Sequence, residues 1–156
     1  MKKEIIIKQN KFDFYLFEEF NIWRCLENRN LIQGFELDLE IEDEKFEWLD
    51  IEKFISFLGE NLELKMNNIH SSKKVLKNYF NEVFKESQIT SEFIEFKLVS
   101  IIYKGYCKNI NLSNQFEYDL IFYPERNNSP TEDFGSHNWH SNFRNNIFLG
   151  VYCDRI

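Results

Sequence analysis

Between Phe35 and Ile41 apolar and acidic residues alternate without a break: Phe35-Glu36-Leu37-Asp38-Leu39-Glu40-Ile41. A β-strand sends successive side chains to opposite faces. Phe35, Leu37, Leu39 and Ile41 therefore share one face, and Glu36, Asp38 and Glu40 share the other. The same spacing on a helix would scatter both sets around the axis. One face must meet a core, and the other must meet water or a partner.

The rest of the chain is read around that strand. Residues 4–8 and 12–17 are short β-branched or aromatic runs, each a strand. Residues 18–29 are ambiguous: Phe20, Trp23 and Leu26 fit a helical face and Ile22 does not. The organising strand is expected over 31–41, with Gly34 as a bulge or close-approach point. Ile51, Phe54, Ile55 and Leu58 fall at helical spacing behind Asp50, a credible N-cap, and Gly59 would end that helix. Val75, Leu76, Tyr79, Phe80, Val83 and Phe84 form a second apolar stripe, capped by Ser71 or Ser72. Lys73, Lys74 and Lys77 would then lie in its first turns, against the helix dipole.

Residues 92–103 read as a central strand, apolar on both faces: Phe93, Val99, Ile101 and Tyr103 on one, Ile94, Phe96, Leu98 and Ile102 on the other. Gly105 and residues 109–114 are a turn. Phe116, Tyr118, Leu120 and Phe122 mark a strand that stops at Pro124. A long loop over 124–138 precedes a terminal hairpin turning at Arg144-Asn145-Asn146. Strands on both sides of a helical insert give an α+β fold, an antiparallel or mixed sheet with two central helices packed on one face. Strand and helix do not alternate, so a doubly wound parallel sheet is excluded. Residues 1–156 are expected to form a single domain.

The net charge of −7 argues against general nucleic-acid binding. Residues 35–60 hold ten Asp/Glu against two Lys, so this segment alone exceeds the net charge of the whole chain. Alanine is absent while Phe, Ile, Asn and Lys abound, a bias that AT-rich codons explain. Much of the 17% aromatic content is therefore ordinary core material. Cys25, Cys107 and Cys153 are far apart and odd in number, which reads as reduced thiols of a cytoplasmic protein. No stretch approaches the ~18 apolar residues of a membrane span, nor the ~7–15 of a signal peptide.

Chemistry-bearing patterns are few. His137 and His140 are weak metal candidates, because an odd spacing at a loop-to-strand junction sends them to opposite faces. Ser136-His137 adjacency does not make a triad. Glu117 and Asp119 would share a strand face ~7 Å apart, the separation of some glycosidase carboxylate pairs, although alternating acids usually make a wet face. No glycine-rich phosphate loop, Walker pattern, His-Glu-x-x-His or dinucleotide fingerprint occurs, so no cofactor is expected. Glu36, Asp38, Glu40, Glu42, Asp43 and Glu44 are the distinguishing feature. Clustered like charges cost stability unless a partner offsets them.

The leading expectation is a non-catalytic protein-binding domain whose acidic face docks a basic protein, as immunity proteins do when they neutralise bacterial toxins. The alternative is a small enzyme or ligand-binding domain with a site near the 124–140 loop, lined by His137, His140, Trp139 and Asp133. A homo-oligomer joined through the aromatic excess is a third option.

Overall fold

The computed structural model describes residues 1–87, 91–107, 115–126, 129–130 and 137–154. The strands are β1 (Lys2–Ile7), β2 (Asn10–Phe17), β3 (Ile22–Asn28), β4 (Leu37–Ile41), β5 (Ile94–Cys107), β6 (Gln115–Arg126), β7 (Ser129–Pro130), β8 (Trp139–Arg144) and β9 (Ile147–Cys153). Two helices, α1 (Trp48–Leu58) and α2 (Leu62–Val83), lie between β4 and β5. All strands join one sheet in the order β1-β2-β3-β4-β5-β6-β8-β9, with the short β7 also beside β6. Every neighbouring pair is antiparallel except β4 and β5. That parallel pair follows from the helical insert: a parallel neighbour needs a crossover connection, and α1 and α2 supply it. The α+β architecture with two helices on a mixed sheet is the one the sequence leads to.

Both helices cover the same face. The Phe54 ring of α1 packs on Tyr103, Phe116 and Tyr118 at 5.0–5.4 Å between centroids. The Phe80 ring of α2 meets Phe96 and Trp139 at 6.2 and 5.4 Å. Tyr103 pairs with Tyr118, Leu98 with Phe122 and Phe122 with Trp139, so alternation puts all these rings on one side. Ile5, Phe12, Phe14, Cys25, Leu37, Leu39 and Ile41 continue the same core across β1 to β4. The apolar side of the organising strand therefore meets the core, as its alternation requires. Among the described residues, no helix is long and apolar enough to cross a membrane.

Several boundaries differ from those expected. β4 is only five residues long. Gly34, at φ +93°, closes a turn in which Phe35 N–H donates to the Ile32 carbonyl, and Leu31 and Ile32 enter the core from a loop. Residues 22–28 form a strand, because pairing with β2 and β4 outweighs the helix-like spacing. Trp23 meets Trp48 edge-on at 5.1 Å. Glu47, not Asp50, is the N-cap of α1, and Asp50 is buried in its first turn. Gly59 does end α1, in ordinary right-handed geometry.

Helix α2 starts at Leu62, where the Asn61 side chain accepts from Leu64 N–H at 3.3 Å. Ser72 is a buried mid-helix residue sharing a 2.7 Å hydrogen bond with Ser141. The lysines expected against the helix dipole sit in mid-helix, and the mismatch disappears. A bulge between Leu98 and Ser100 rephases β5, so Ile94, Phe96, Leu98, Ile101 and Tyr103 all face the core. Gly105 is a second irregularity inside β5, at φ +149°. β6 runs through Pro124, which pairs with Phe96, and ends at Arg126. The terminal hairpin turns at Asn145, at φ +51°. The expected turn at 109–114 lies outside the described residues.

Candidate functional site

The opposite face of the sheet carries no helix among the described residues. Strand pairing arranges its side chains in rows. One row runs Lys2, Tyr15, Arg24, Glu40, Ile102, Asp119, Asn142 and Gly150. The next runs Asp38, Ser100, Ile121, His140 and Tyr152. The middle of this face is a concavity of about 520 Å³ floored by Val99, Ser100, Ile102 and Ile121. Asp38, Glu40 and Glu42 stand on its β4 side, and His140, Tyr152 and Asp154 on its β9 side.

A buried charged hub holds the β9 side in place. Asp119 is 0% exposed. It accepts from His140 Nδ1 at 3.0 Å, Asn142 Nδ2 at 2.6 Å and Lys104 Nζ at 2.7 Å, and from the Tyr152 hydroxyl. His140, 4% exposed, meets the Asp154 carboxylate through Nε2 at 2.7 Å. Tyr152 stacks on the imidazole at 4.3 Å and 14°, and its hydroxyl accepts from Lys104 Nζ at 2.7 Å.

A carboxylate offers only acceptors, so an imidazole between two of them must carry both protons. His140 is an imidazolium here. Burial works against that charge, but Asp119 and Asp154 outweigh it and raise the His140 pKa. Burial alone would raise Asp119. Its donors His140, Lys104, Tyr152 and Asn142 reverse the sign and hold it far below the usual carboxylate range. Burial, reinforced by Asp119, pushes the Tyr152 phenol up to about 12.

The acidic residues have unequal surroundings. Glu36 forms a 2.5 Å ion pair with Arg29, in a separate shallow dip beside Gly34. Glu40 is paired with Arg24 at 2.8 Å. Asp38 accepts the Glu27 backbone N–H at 2.8 Å. Asp43 caps the turn after β4 by accepting Lys45 N–H at 2.9 Å, and Glu44 is exposed in that turn. Glu42 forms no ion pair among the described residues. Burial at the edge of the concavity raises its carboxyl pKa, opposed by Lys104 and assisted by Glu40. Asp38, Glu40 and Glu42 are thus gathered at one concavity, whereas Glu36, Asp43 and Glu44 lie outside its lining.

Among the described residues, the cations on this face are already engaged. Lys2, Lys11, Arg24, Lys97, Lys104 and Arg144 each have a carboxylate within 2.6–3.8 Å. Around the concavity stand Asp38, Glu40, Glu42 and Asp154 against Arg24, Lys104 and the buried His140. The hub of Asp119, Asp154, His140 and Lys104 is neutral as a set, and Arg24 cancels Glu40. What remains among the described residues is the negative charge of Asp38 and Glu42.

The residues named for an alternative site divide. His140 lines the concavity, but Trp139, its neighbour on β8, points into the core against Phe80 and Phe96. His137 Nδ1 meets the Asp154 carbonyl at 2.8 Å. Asp133 and Ser136 lie outside the described residues. Among those described, no group of three or more His, Cys, Asp or Glu side chains is arranged to hold a metal. Glu117 is paired with Arg144 at 2.8 Å while Asp119 belongs to the hub, so the two acids have separate partners. Cys25 is buried, Cys153 is half-buried and both are free thiols; the Cys107 side chain lies outside the described set. The sequence marks Asp119 only as one of two alternating acids, and nothing in it joins Lys104, Tyr152 and Asp154 to that residue. The chain matches no protein-family model, no curated protein and no solved structure.

Proposed function

We propose that the protein is a non-catalytic binding protein whose helix-free sheet face receives a basic protein, as an immunity protein receives a basic bacterial toxin. The supporting observation is the charge left over at the concavity: its cations are engaged in ion pairs, and the Asp38 and Glu42 carboxylates are not. Complementary charge of this kind accelerates encounter and rejects like-charged partners more than it adds raw affinity. The site residues are Asp38, Glu40 and Glu42; Glu36, Asp43 and Glu44, the other acids the sequence singles out, lie outside the lining of the concavity. The test is affinity capture from the host lysate with wild-type protein and with Asp38→Lys/Glu42→Lys. The reading expects a basic protein that wild type retains at low salt and the folded variant releases. An unchanged set of captured proteins overturns it.

A second reading, a small ligand-binding or enzymatic site in the same concavity, draws on His140. A buried carboxylate on one imidazole nitrogen is how an acid–base histidine is oriented. Here, however, the other nitrogen is occupied by Asp154. The discriminating variant is His140→Gln: capture of the basic protein persists under the first reading, and any turnover is lost under the second.

A further inference from the structure

The helix-free face has an apolar part that the acidic residues do not explain. In β2, Phe12 and Phe14 fill the core, yet the outward positions of the same strand hold Tyr15 and Phe17. In β3, Leu26 points outward beside Arg24, and Ile22 is half-buried opposite Phe17. Tyr15 and Leu26 are each 44% exposed and Phe17 is 36% exposed. Single exposed apolar residues are ordinary, but three large ones on adjacent strands at an uncovered sheet face are less so: Phe17 lies opposite Ile22, Tyr15 opposite Arg24, and Leu26 two residues beyond Arg24, at the bulge of β3. The group also adjoins the acidic row. Tyr15 pairs across to Arg24, and Arg24 to Glu40. Arg24 bridges the two parts physically, with its guanidinium 5.5 Å from the Phe17 ring centroid and 2.8 Å from the Glu40 carboxylate.

We infer that Tyr15, Phe17 and Leu26 are the apolar anchor of the docking surface, and that its occupant is a basic protein segment carrying apolar side chains between its cations. This rests on the acidic-face reading given above and specifies its partner. The cations facing the anchor rings, Lys2 over Tyr15 and Arg24 over Phe17, are themselves ion-paired with Asp13 and Glu40, so the surplus charge of the neighbouring concavity selects the occupant. A second copy of a chain with net charge −7 would bring Asp38 and Glu42 toward like charge, and an acidic partner would do the same. A purely cationic segment would leave the apolar group in water. Interfaces of this composition place aromatic anchors at the centre and charge at the rim.

Two peptides of equal length and charge serve as probes, one interleaving lysine with leucine and the other lysine with serine. Binding is followed by the ring and methyl NMR signals of Tyr15, Phe17, Ile22 and Leu26. Burial of one or two leucines predicts that the leucine peptide binds about tenfold or more tightly than the serine peptide. It should also shift those signals, which the serine peptide leaves in place. Leu26→Ser should remove that advantage without changing serine-peptide affinity, and the wild-type signals keep the test decisive if the variant does not fold. Equal affinities with no shift at Leu26 overturn the anchor and leave the acidic reading standing. Binding of neither peptide overturns both. A concentration-dependent dimer in sedimentation, abolished by Leu26→Ser, overturns the anchor's assignment to a basic partner in favour of a second copy.

Discussion

The two faces of this sheet are built from the same strands and obey different physics. On the helix-covered face of β6, Phe116, Tyr118, Leu120 and Phe122 are held by contact with α1, α2 and neighbouring strands, with no charge involved. One residue away, on the other face, Asp119 is equally buried but is held by four hydrogen-bond donors. Burial by packing tolerates any pH. Burial by charge pairing holds only while every partner keeps its protonation state. The contrast shows how a helix-free face can have its charges paired at its β9 side and still leave carboxylates without an ion-pair partner among the described residues at its β4 side.

The largest effects should separate the faces by their pH dependence. Trp139→Ala empties the aromatic cluster around Phe80 and Phe96 and should cost about 3–5 kcal/mol. Asp119→Asn leaves the buried His140 imidazolium and Lys104 short of a counter-charge and should cost a similar ~3–5 kcal/mol at neutral pH. Urea unfolding across pH tells them apart. The Trp139→Ala deficit should stay constant. The Asp119→Asn deficit should shrink in acid, because a carboxylate with a lowered folded pKa stabilises above its unfolded value of about 3.9 and loses that contribution as pH falls. A pH-independent Asp119→Asn deficit would break the comparison.

His140 gives the opposite sign. Its folded pKa is raised, so its stabilisation is complete below the unfolded value of about 6.5 and fades as pH climbs through the folded pKa. Wild type should therefore exceed His140→Gln in stability most clearly in mild acid. The imidazole signals of His140 should titrate above those of a free histidine. A gap that widens with rising pH would contradict the two-carboxylate arrangement.

How far the sequence foretold these faces depends on the range of the interaction. The alternation of Phe35–Ile41 identifies the core side of β4, because alternation is a local property of a strand. The Phe54 and Phe80 stripes likewise identify the helix faces that are buried. The hub was not legible, because Lys104, Asp119, His140 and Asp154 come from β5, β6, β8 and the end of β9, and only strand order brings them together. The β5 facing was misread for a related reason. A bulge shifts the alternation by one residue, and period-two reading has no means of locating it. Residues 22–28 show tertiary pairing overruling local spacing. The start of α2 was missed because the Asn61 cap lies well upstream of the strongest apolar stripe.

Smaller effects sharpen the contrast. Lys65 is a charge on the packed side, buried in α2 with Nζ 2.9 Å from the Asn146 side-chain oxygen and 3.8 Å from the Phe57 ring centroid. Burial lowers its pKa to about 8, so keeping it charged at neutral pH costs stability. Lys65→Met should stabilise by roughly 1 kcal/mol at pH 7. That advantage should fall as pH rises from about 8 towards the unfolded value of about 10.4. At the bottom of the scale, Glu36→Gln removes an exposed pair with Arg29 and should change unfolding stability by less than about 1 kcal/mol.

The central claim is that uncompensated negative charge at the β4 side of the concavity receives a basic partner. Backbone NMR of the protein titrated with a short oligolysine tests it most directly. The account predicts salt-sensitive shifts concentrated at residues 38–42 and at the facing residues 100–104, with the helix-covered face unmoved. Shifts spread evenly over the surface, or centred on α1 and α2, would contradict it.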